Sequence, residues 1–197
     1  MQTADCAIGS EAAKMVWRMV HTCRDDFEAH IRNKRCSCAI SQPVPCVALC
    51  PAHVDIPGYI ALVREGRYAD AIQLIRKDNP FPSTICEHPC EARCRRNMVD
   101  TSVNIRGLKR AAADLAGKVA PPPCGPSTGK KIAVVGGGPS GLSSAYYLQL
   151  MGHQVTVYEM LPKLGGMLRY GIPNYRFPRE RLQEDIDAIL STGVEVK

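Results

Sequence analysis

The sequence predicts two unlike parts, a helical first part and an α/β second part. Apolar residues recur at helical spacing in the first part, and strand and helix patterns alternate after residue 130. A run rich in proline and glycine separates the two regions. The predicted fold class is therefore α+α/β. The bounds that we predict are 1–35 for an N-terminal helical extension, 36–117 for a helical domain, 118–130 for a linker and 131–197 for the first part of an α/β domain.

The helices of the first part are predicted from the spacing of apolar residues and from residues that typically begin or end helices. Residues 11–31 place apolar side chains at helical intervals, and DIPGYIALVREGRYADAIQLIRKDNPFP predicts two short helices around Gly66. Pro80, together with a second proline two residues later, is expected to end the second of these helices. SVNIRGLKRAAADLAG predicts a further helix that Ser102 caps and Gly117 ends.

Composition and charge limit the classes of protein to which the chain can belong. The chain has 197 residues, 45% of them hydrophobic, and a formal net charge of +6. The first residues lack a basic segment followed by an apolar one, which predicts a cytoplasmic protein, and no run is apolar enough to predict a membrane span. The basic residues cluster beside cysteines without interleaved aromatic residues, so no nucleic-acid partner is predicted.

Seven of the ten cysteines form two short runs. The first run is Cys36, Cys38, Cys46 and Cys50, followed by a proline, and the second is Cys86, Cys90 and Cys94. In a cytoplasmic protein, closely spaced cysteines favour metal ligation over disulfides. Neither run contains the C-x2-C pair that is typical of zinc sites, and thiolates on irregular backbone can hold an iron–sulfur cluster. Iron–sulfur is the favoured hypothesis; a zinc-stabilised binding module without redox function is the alternative.

The start of the α/β part carries a dinucleotide-binding pattern. Gly136, Gly138 and Gly141 fit G-x-G-x-x-G between a predicted strand and a predicted helix, and Glu159 ends the next predicted strand. The glycines let a backbone turn approach a pyrophosphate at the helix N-terminus, and the carboxylate accepts from ribose hydroxyls. This pattern does not distinguish FAD from NAD(P). The residues that we assign to cofactor binding are Gly136, Gly138, Ser140, Gly141, Glu159, Gly165 and Gly166.

The order of these motifs resembles the glutamate synthase small-subunit family. The resemblance rests on CPAHVDIPGYIALVREGRYADAIQLI, CEHPCEARCRR, VNIRGLKR, AVVGGGPSGLSSAYYL and GGMLRYGIPNYRFP, and it covers about residues 35–197. The family includes the corresponding subunits of electron-bifurcating NADPH:ferredoxin oxidoreductases and the N-terminal part of dihydropyrimidine dehydrogenase. The resemblance implies a helical domain with two [4Fe-4S] clusters and a Rossmann-like FAD-binding domain.

The resemblance also implies how the thiols share the clusters. One cluster would take Cys36, Cys38, Cys46 and Cys94, and the other would take Cys50, Cys86 and Cys90 with one ligand missing. The first run departs from the family's usual spacing, so Cys23 is an alternative to Cys36 or Cys38. For the eighth ligand, relatives can use a Gln or Glu on the helix after the second run. This chain offers only Asn104 and Asp114 there.

The family continues beyond the residues that match here, into the rest of the FAD domain and a second dinucleotide-binding domain. We therefore expect an incomplete FAD domain, with NAD(P)H bound outside this chain. The predicted function is electron transfer between FAD, two clusters and a partner subunit or a missing C-terminal part. No residue is assigned a catalytic role, and the chain alone is expected not to be catalytically complete.

Overall fold

The computed structural model describes residues 7–22, 24–33, 44–82 and 85–197. The chain divides into two compact units, Met1–Pro43 and Val44–Lys197. The first unit contains helices α1 (Ala7–Thr22) and α2 (Arg24–Asn33), which contact each other. Four cysteines lie outside the described residues: the predicted ligands Cys36 and Cys38, their alternative Cys23, and Cys6. Within the described ranges, no helix is both long and apolar enough to cross a membrane.

The second unit begins with a group of short helices. They are α3 (Pro45–Ala48), α4 (Ile56–Arg64), α5 (Tyr68–Arg76), α6 (Pro89–Ala92), a 3₁₀ helix (Arg95–Met98) and α7 (Ile105–Leu115). Helices α4, α5 and α7 contact one another around a buried core. That core consists of Val54, Ile56, Tyr59, Ala71, Ile72, Ile75, Cys90, Ile105 and Ala112.

Local signals explain where these helices begin and end. The predicted pair of helices around Gly66 is confirmed, and Gly66 adopts a φ of +73° that only glycine takes readily. Helix α5 ends at Arg76, four residues before Pro80. The prediction that Ser102 caps α7 was wrong, because the side chain of Asn104 accepts a hydrogen bond from the Gly107 N–H at 3.0 Å.

The later residues form a small parallel sheet with helices. The elements are β1 (Lys131–Val135), α8 (Pro139–Leu150), β2 (Gln154–Tyr158), α9 (Met167–Tyr170), α10 (Arg179–Leu190) and β3 (Glu195–Val196). The strand order is β1-β2-β3 with both pairs parallel. Helix α9 was not predicted; its four residues lie between Gly166 and Gly171. The chain is thus rich in helix with a small parallel sheet, and the predicted domain bounds stay a prediction.

Contacts within the second unit join its helical part to its α/β part. Residues 118–130 form neither helix nor strand, but the Gly125 N–H donates to the Leu150 carbonyl at 2.8 Å. Arg76, on α5, donates to the Val119 carbonyl at 2.8 Å and lies 3.6 Å from the carboxylate of Asp185 on α10. Both side chains of this ion pair are buried.

Candidate functional site

The two cysteine runs meet where α3 packs against α6. Cys46 lies in α3 and Cys50 just after it, while Cys90 lies in α6 and Cys94 follows that helix. Both helices begin with a proline and are only four residues long, so the thiols sit on largely irregular backbone. No disulfide joins the six cysteines that the structure describes. Cys36 and Cys38, the remaining predicted ligands, lie outside the described residues.

Electrostatic interactions link several of the described thiols. Burial, together with the negative charges of Cys86, Glu91 and Cys50, raises the pKa of Cys90 to about 11. Burial also raises the pKa of Cys46, to which the charge of Cys94 contributes. Cys50 and Cys86 are thus close enough to Cys90, and Cys94 close enough to Cys46, for their charges to act on ionisation. These proximities agree with the ligand sets that the resemblance implies; ligation itself stays a prediction.

Two further residues shape the surroundings of the thiols. Tyr59 is buried, donates its hydroxyl hydrogen bond to the Ile105 carbonyl at 3.0 Å, and has its pKa raised by burial and by the nearby thiolates. Sequence reasoning missed Tyr59, whose signal was its position on the apolar face of α4. The His88 N–H donates to the sulfur of Cys86 at 3.3 Å, and His88 has a left-handed φ of +44°. Backbone N–H groups directed at sulfur are typical of cluster loops.

No three His, Cys, Asp or Glu side chains among the described residues are arranged to hold a single metal ion. The exposed Cys124 lies apart from both cysteine groups, in the segment between the helical and α/β parts.

The predicted dinucleotide-binding turn has the expected local structure. Gly136 takes a φ of +100°, and α8 begins two residues after Gly137, with Gly138 as its N-cap. A Cβ on Gly141 would overlap the carbonyl oxygen of Gly136 and would lie 3.3 Å from a methyl group of Val134. Gly141 is therefore required for close packing of the helix on the turn and the strand, which is the role the pattern predicts.

Glu159 supports this turn from the end of β2. One oxygen of its carboxylate accepts from the Gly137 N–H at 2.5 Å and the other accepts from the Leu161 N–H at 2.8 Å. These two hydrogen bonds hold the pKa of Glu159 below its ordinary value. The sequence predicted ribose contacts for Glu159, and this positioning role was missed.

A second glycine loop lies against the first. The Gly165 N–H donates to the Gly137 carbonyl at 2.8 Å, and Gly165 and Gly166 both have positive φ. A Cβ on Gly166 would come within 2.7 Å of the Gly138 Cα, whereas a Cβ on Gly138 would find its nearest neighbour at 3.8 Å. The two loops thus present a surface without side chains beside the N-terminus of α8, where Ser140 also lies. Because the glycines leave open the space that a Cβ would fill, a pyrophosphate could approach the backbone closely here.

Comparison with family models gives two matches along the chain. The family described as dihydropyrimidine dehydrogenase domain II, 4Fe-4S cluster, matches residues 13–120. The family described as NAD(P)-binding Rossmann-like domain matches residues 134–181. A 4Fe-4S domain and an NAD(P)-binding domain are therefore present, in the order that the cysteine runs and the glycine pattern predicted.

Several curated proteins are similar to most of this chain. The β subunit of an NADPH-Fe(3+) oxidoreductase of Geobacter sulfurreducens is 44% identical over 97% of the chain, which spans 30% of that protein. The β subunit of an NADP(+)-dependent formate dehydrogenase of Moorella thermoacetica is 41% identical over 77% of the chain, spanning 25% of that protein. The small chain of a glutamate synthase [NADPH] of Mycobacterium tuberculosis is 36% identical over 92% of the chain, spanning 38% of that protein. The chain thus spans well under half the length of these relatives.

Proposed function

The chain belongs to the family of dihydropyrimidine dehydrogenase domain II, 4Fe-4S cluster, and from this membership we propose that it is the electron-transfer part of an NADPH-dependent flavin and iron–sulfur oxidoreductase. The names of three similar proteins, which are NADPH- or NADP(+)-dependent oxidoreductase subunits, support the redox function. The observation that carries the proposal is the meeting of the two cysteine runs where α3 packs against α6.

We propose two [4Fe-4S] clusters, with the ligands divided as the resemblance implies. Cys46 and Cys94 would serve one cluster together with Cys36 and Cys38, and Cys50, Cys86 and Cys90 would serve the other. When bound, such a cluster supplies one-electron transfer at a potential that its surroundings set. The residues of the chain fit this role, since the buried Tyr59 keeps water from the inner side of the thiols and the His88 N–H offsets charge on the sulfur of Cys86.

We propose that the glycine-lined surface binds FAD. The backbone of Gly136–Gly138 and the N–H groups at the start of α8 would face the pyrophosphate, while Gly165 and Gly166 extend the same surface. Glu159 holds the turn in place through two N–H groups and retains lone pairs for ribose hydroxyls. The NAD(P)-binding match over residues 134–181 favours a second candidate, direct binding of the nicotinamide cofactor at the same turn.

The whole reaction needs more than this chain. NADPH would be bound outside it, and electrons would pass to a partner subunit or to a further part of the same protein in the cytoplasm. The final acceptor is open, since the similar proteins are named for Fe(3+), formate and glutamate chemistry.

Metal and flavin content test this proposal. We expect about eight irons and eight sulfides per chain after anaerobic purification, because two [4Fe-4S] clusters carry that number. The Cys94→Ala variant is expected to keep about half of the iron, and Cys124→Ala is the matched control that should keep all of it. Stoichiometric zinc without sulfide would falsify the cluster assignment. NADP(H) that binds the wild-type turn in competition with FAD would support the second candidate for that surface.

A further inference from the structure

Arg106 approaches the second cysteine run from the start of α7. Its guanidinium donates a hydrogen bond to the Cys86 carbonyl at 3.4 Å, and its backbone N–H donates to the Glu91 carboxylate at 2.8 Å. The backbone bond ties the residue to α6, and the guanidinium bond directs the exposed side chain toward Cys86. A cationic side chain is therefore in contact with a predicted cluster ligand.

The charge of Arg106 is not paired with an acid. Its guanidinium forms no ion pair with any acidic side chain in the part of the chain that the structure describes. The nearby Glu87 pairs with Arg176 at 3.2 Å. Glu91 accepts from the Arg106 backbone through one carboxylate oxygen, and its other oxygen lies 4.0 Å from Nδ1 of His88. The positive charge of the Arg106 side chain consequently acts on the thiols without an acid to offset it directly.

Cys86 receives a second polar contact, at its sulfur. The His88 N–H donates to that sulfur at 3.3 Å, so Cys86 has a neutral donor at its sulfur and a cationic donor at its carbonyl. Both contacts favour added negative charge, because net charge and hydrogen bonds to sulfur set the potential of a cluster. Glu91 contributes the opposing negative charge, which acts on the neighbouring thiol Cys90.

Three arginines near the end of the second run differ from Arg106. Arg96 donates to both carboxylate oxygens of Asp100, at 2.7 and 2.6 Å, so an acid offsets its charge. Within the described ranges, the guanidinium groups of Arg93 and Arg95 have no hydrogen-bond partner, so their charges are not fixed relative to the thiols. Arg106 combines a fixed contact with an unpaired charge.

We propose that Arg106 raises the reduction potential of the cluster that Cys86 and its two partner thiols, Cys50 and Cys90, would hold. The inference rests on the proposed function, because that function supplies both the cluster and the electrons. Reduction adds one electron to the cluster and makes its net charge more negative by one, with no bond made or broken. A fixed positive charge stabilises the reduced form more than the oxidised form, so the potential is higher with Arg106 than without it.

The size of the effect follows from the exposure of the side chain. Because solvent screens an exposed charge, we expect Arg106 to change the one-electron equilibrium constant of the cluster by about threefold to tenfold. A tenfold change corresponds to about 59 mV for a one-electron couple, so this range is about 30–60 mV. At a given flavin potential, a larger fraction of this cluster is therefore reduced when Arg106 is present.

Redox titration of the purified complex that contains this chain tests the proposal. Dithionite is the reductant, the cluster signals are followed by electron paramagnetic resonance, and the signal that Cys86→Ala lacks identifies the relevant cluster. In Arg106→Gln we expect this signal to appear at a potential about 30–60 mV lower than in the wild type at low salt. The signal that Cys94→Ala lacks should move by less than half as much. Near 1 M salt, where the screening length is about 3 Å, the difference between variant and wild type should shrink.

Two further variants separate charge from shape. Arg106→Lys keeps the charge, so the equilibrium constant of its cluster should stay within about twofold of the wild type, or about 18 mV. Arg64→Gln removes an exposed arginine at the end of α4 and is the matched control, with no expected shift. Both variants of Arg106 keep the backbone bond to Glu91, so Tm should change by less than about 2 °C.

Several results would overturn the proposed role of Arg106. An unchanged potential in Arg106→Gln would show that its charge does not reach the cluster, and equal shifts of both signals would show that it does not act on one cluster in particular. Equal shifts in the lysine and glutamine variants would assign the effect to shape. Loss of iron from Arg106→Gln would assign the residue to cluster assembly. A wild-type complex without iron, or with zinc in its place, would instead refute the proposed function.

Discussion

Two glycines of the same turn offer a test that separates folding from cofactor binding. A Cβ at Gly141 would overlap the carbonyl oxygen of Gly136 and would lie 3.1 Å from its carbon. The main obstacle is the backbone of Gly136, which cannot give way cheaply, and a methyl group of Val134 also lies at 3.3 Å. A Cβ at Gly138 meets nothing closer than 3.8 Å, and its φ of −79° suits any residue. It would, however, stand in the space where a pyrophosphate approaches the turn.

The expected effects follow from this difference. Overpacking of this kind costs about 1–3 kcal/mol, so Gly141→Ala should lower the free energy of unfolding by about 2 kcal/mol. For a unit of about 150 residues, that corresponds to a fall in Tm of about 4–8 °C. Gly138→Ala should leave Tm within about 2 °C of the wild type while weakening FAD binding about tenfold or more, equivalent to about 1.4 kcal/mol.

The assays are thermal unfolding followed by circular dichroism and FAD titration followed by flavin fluorescence. Both are made on the same preparations, so a loss of binding through unfolding is recognised directly. Wild-type FAD affinity in a folded Gly138→Ala variant would refute the placement of the cofactor on this surface. An unchanged Tm in Gly141→Ala would refute the packing argument.

Two further predictions concern the cysteines and the buried ion pair. The Cys50→Ala and Cys86→Ala variants should lose the same signal in electron paramagnetic resonance spectra, and both should retain the signal that Cys94→Ala loses. Loss of one and the same signal in Cys50→Ala and Cys94→Ala would contradict the proposed ligand sets. Arg76→Met should lower the free energy of unfolding by about 3–5 kcal/mol, because it removes the guanidinium that faces the buried carboxylate of Asp185. The double variant Arg76→Met/Asp185→Leu should recover most of that loss when both are measured by denaturant titration. A double variant no more stable than the single one would argue against a charge effect.

Features that depend on neighbouring residues could be predicted from the sequence. The glycine turn and the pair of helices around Gly66 each rest on signals within about ten residues, and the structure has both. The capping residue of α7 was predicted wrongly although the signal is local. Ser102 and Asn104 are both good capping residues, and only the position of the first helical residue, Ile105, identifies Asn104 as the cap.

Contacts between distant segments could not be predicted in the same way. Arg76 and Asp185 are far apart in sequence, and nothing in either helix pattern indicates that two charged residues will be buried together. The hydrogen bond from Tyr59 to the Ile105 carbonyl depends on how α4 packs on α7, which apolar spacing does not determine. The positioning role of Glu159 was missed because the sequence pattern predicts only a ribose contact. It does not indicate that the carboxylate accepts hydrogen bonds from the N–H groups of Gly137 and Leu161.

The packing of α3 against α6 has a consequence for the stability of the helical part if the proposed clusters are lost. A cluster that joins Cys46 to Cys94 would act as a cross-link between segments nearly fifty residues apart, and the chain-entropy treatment of such loops gives about 4 kcal/mol. The helices that carry these thiols have four residues each and contribute little of the buried core, apart from Cys90. Oxygen that destroys the clusters would therefore also loosen the backbone around them. Damaged molecules would become better substrates for proteolysis than intact ones, and the redox state of the cell would set the lifetime of the protein.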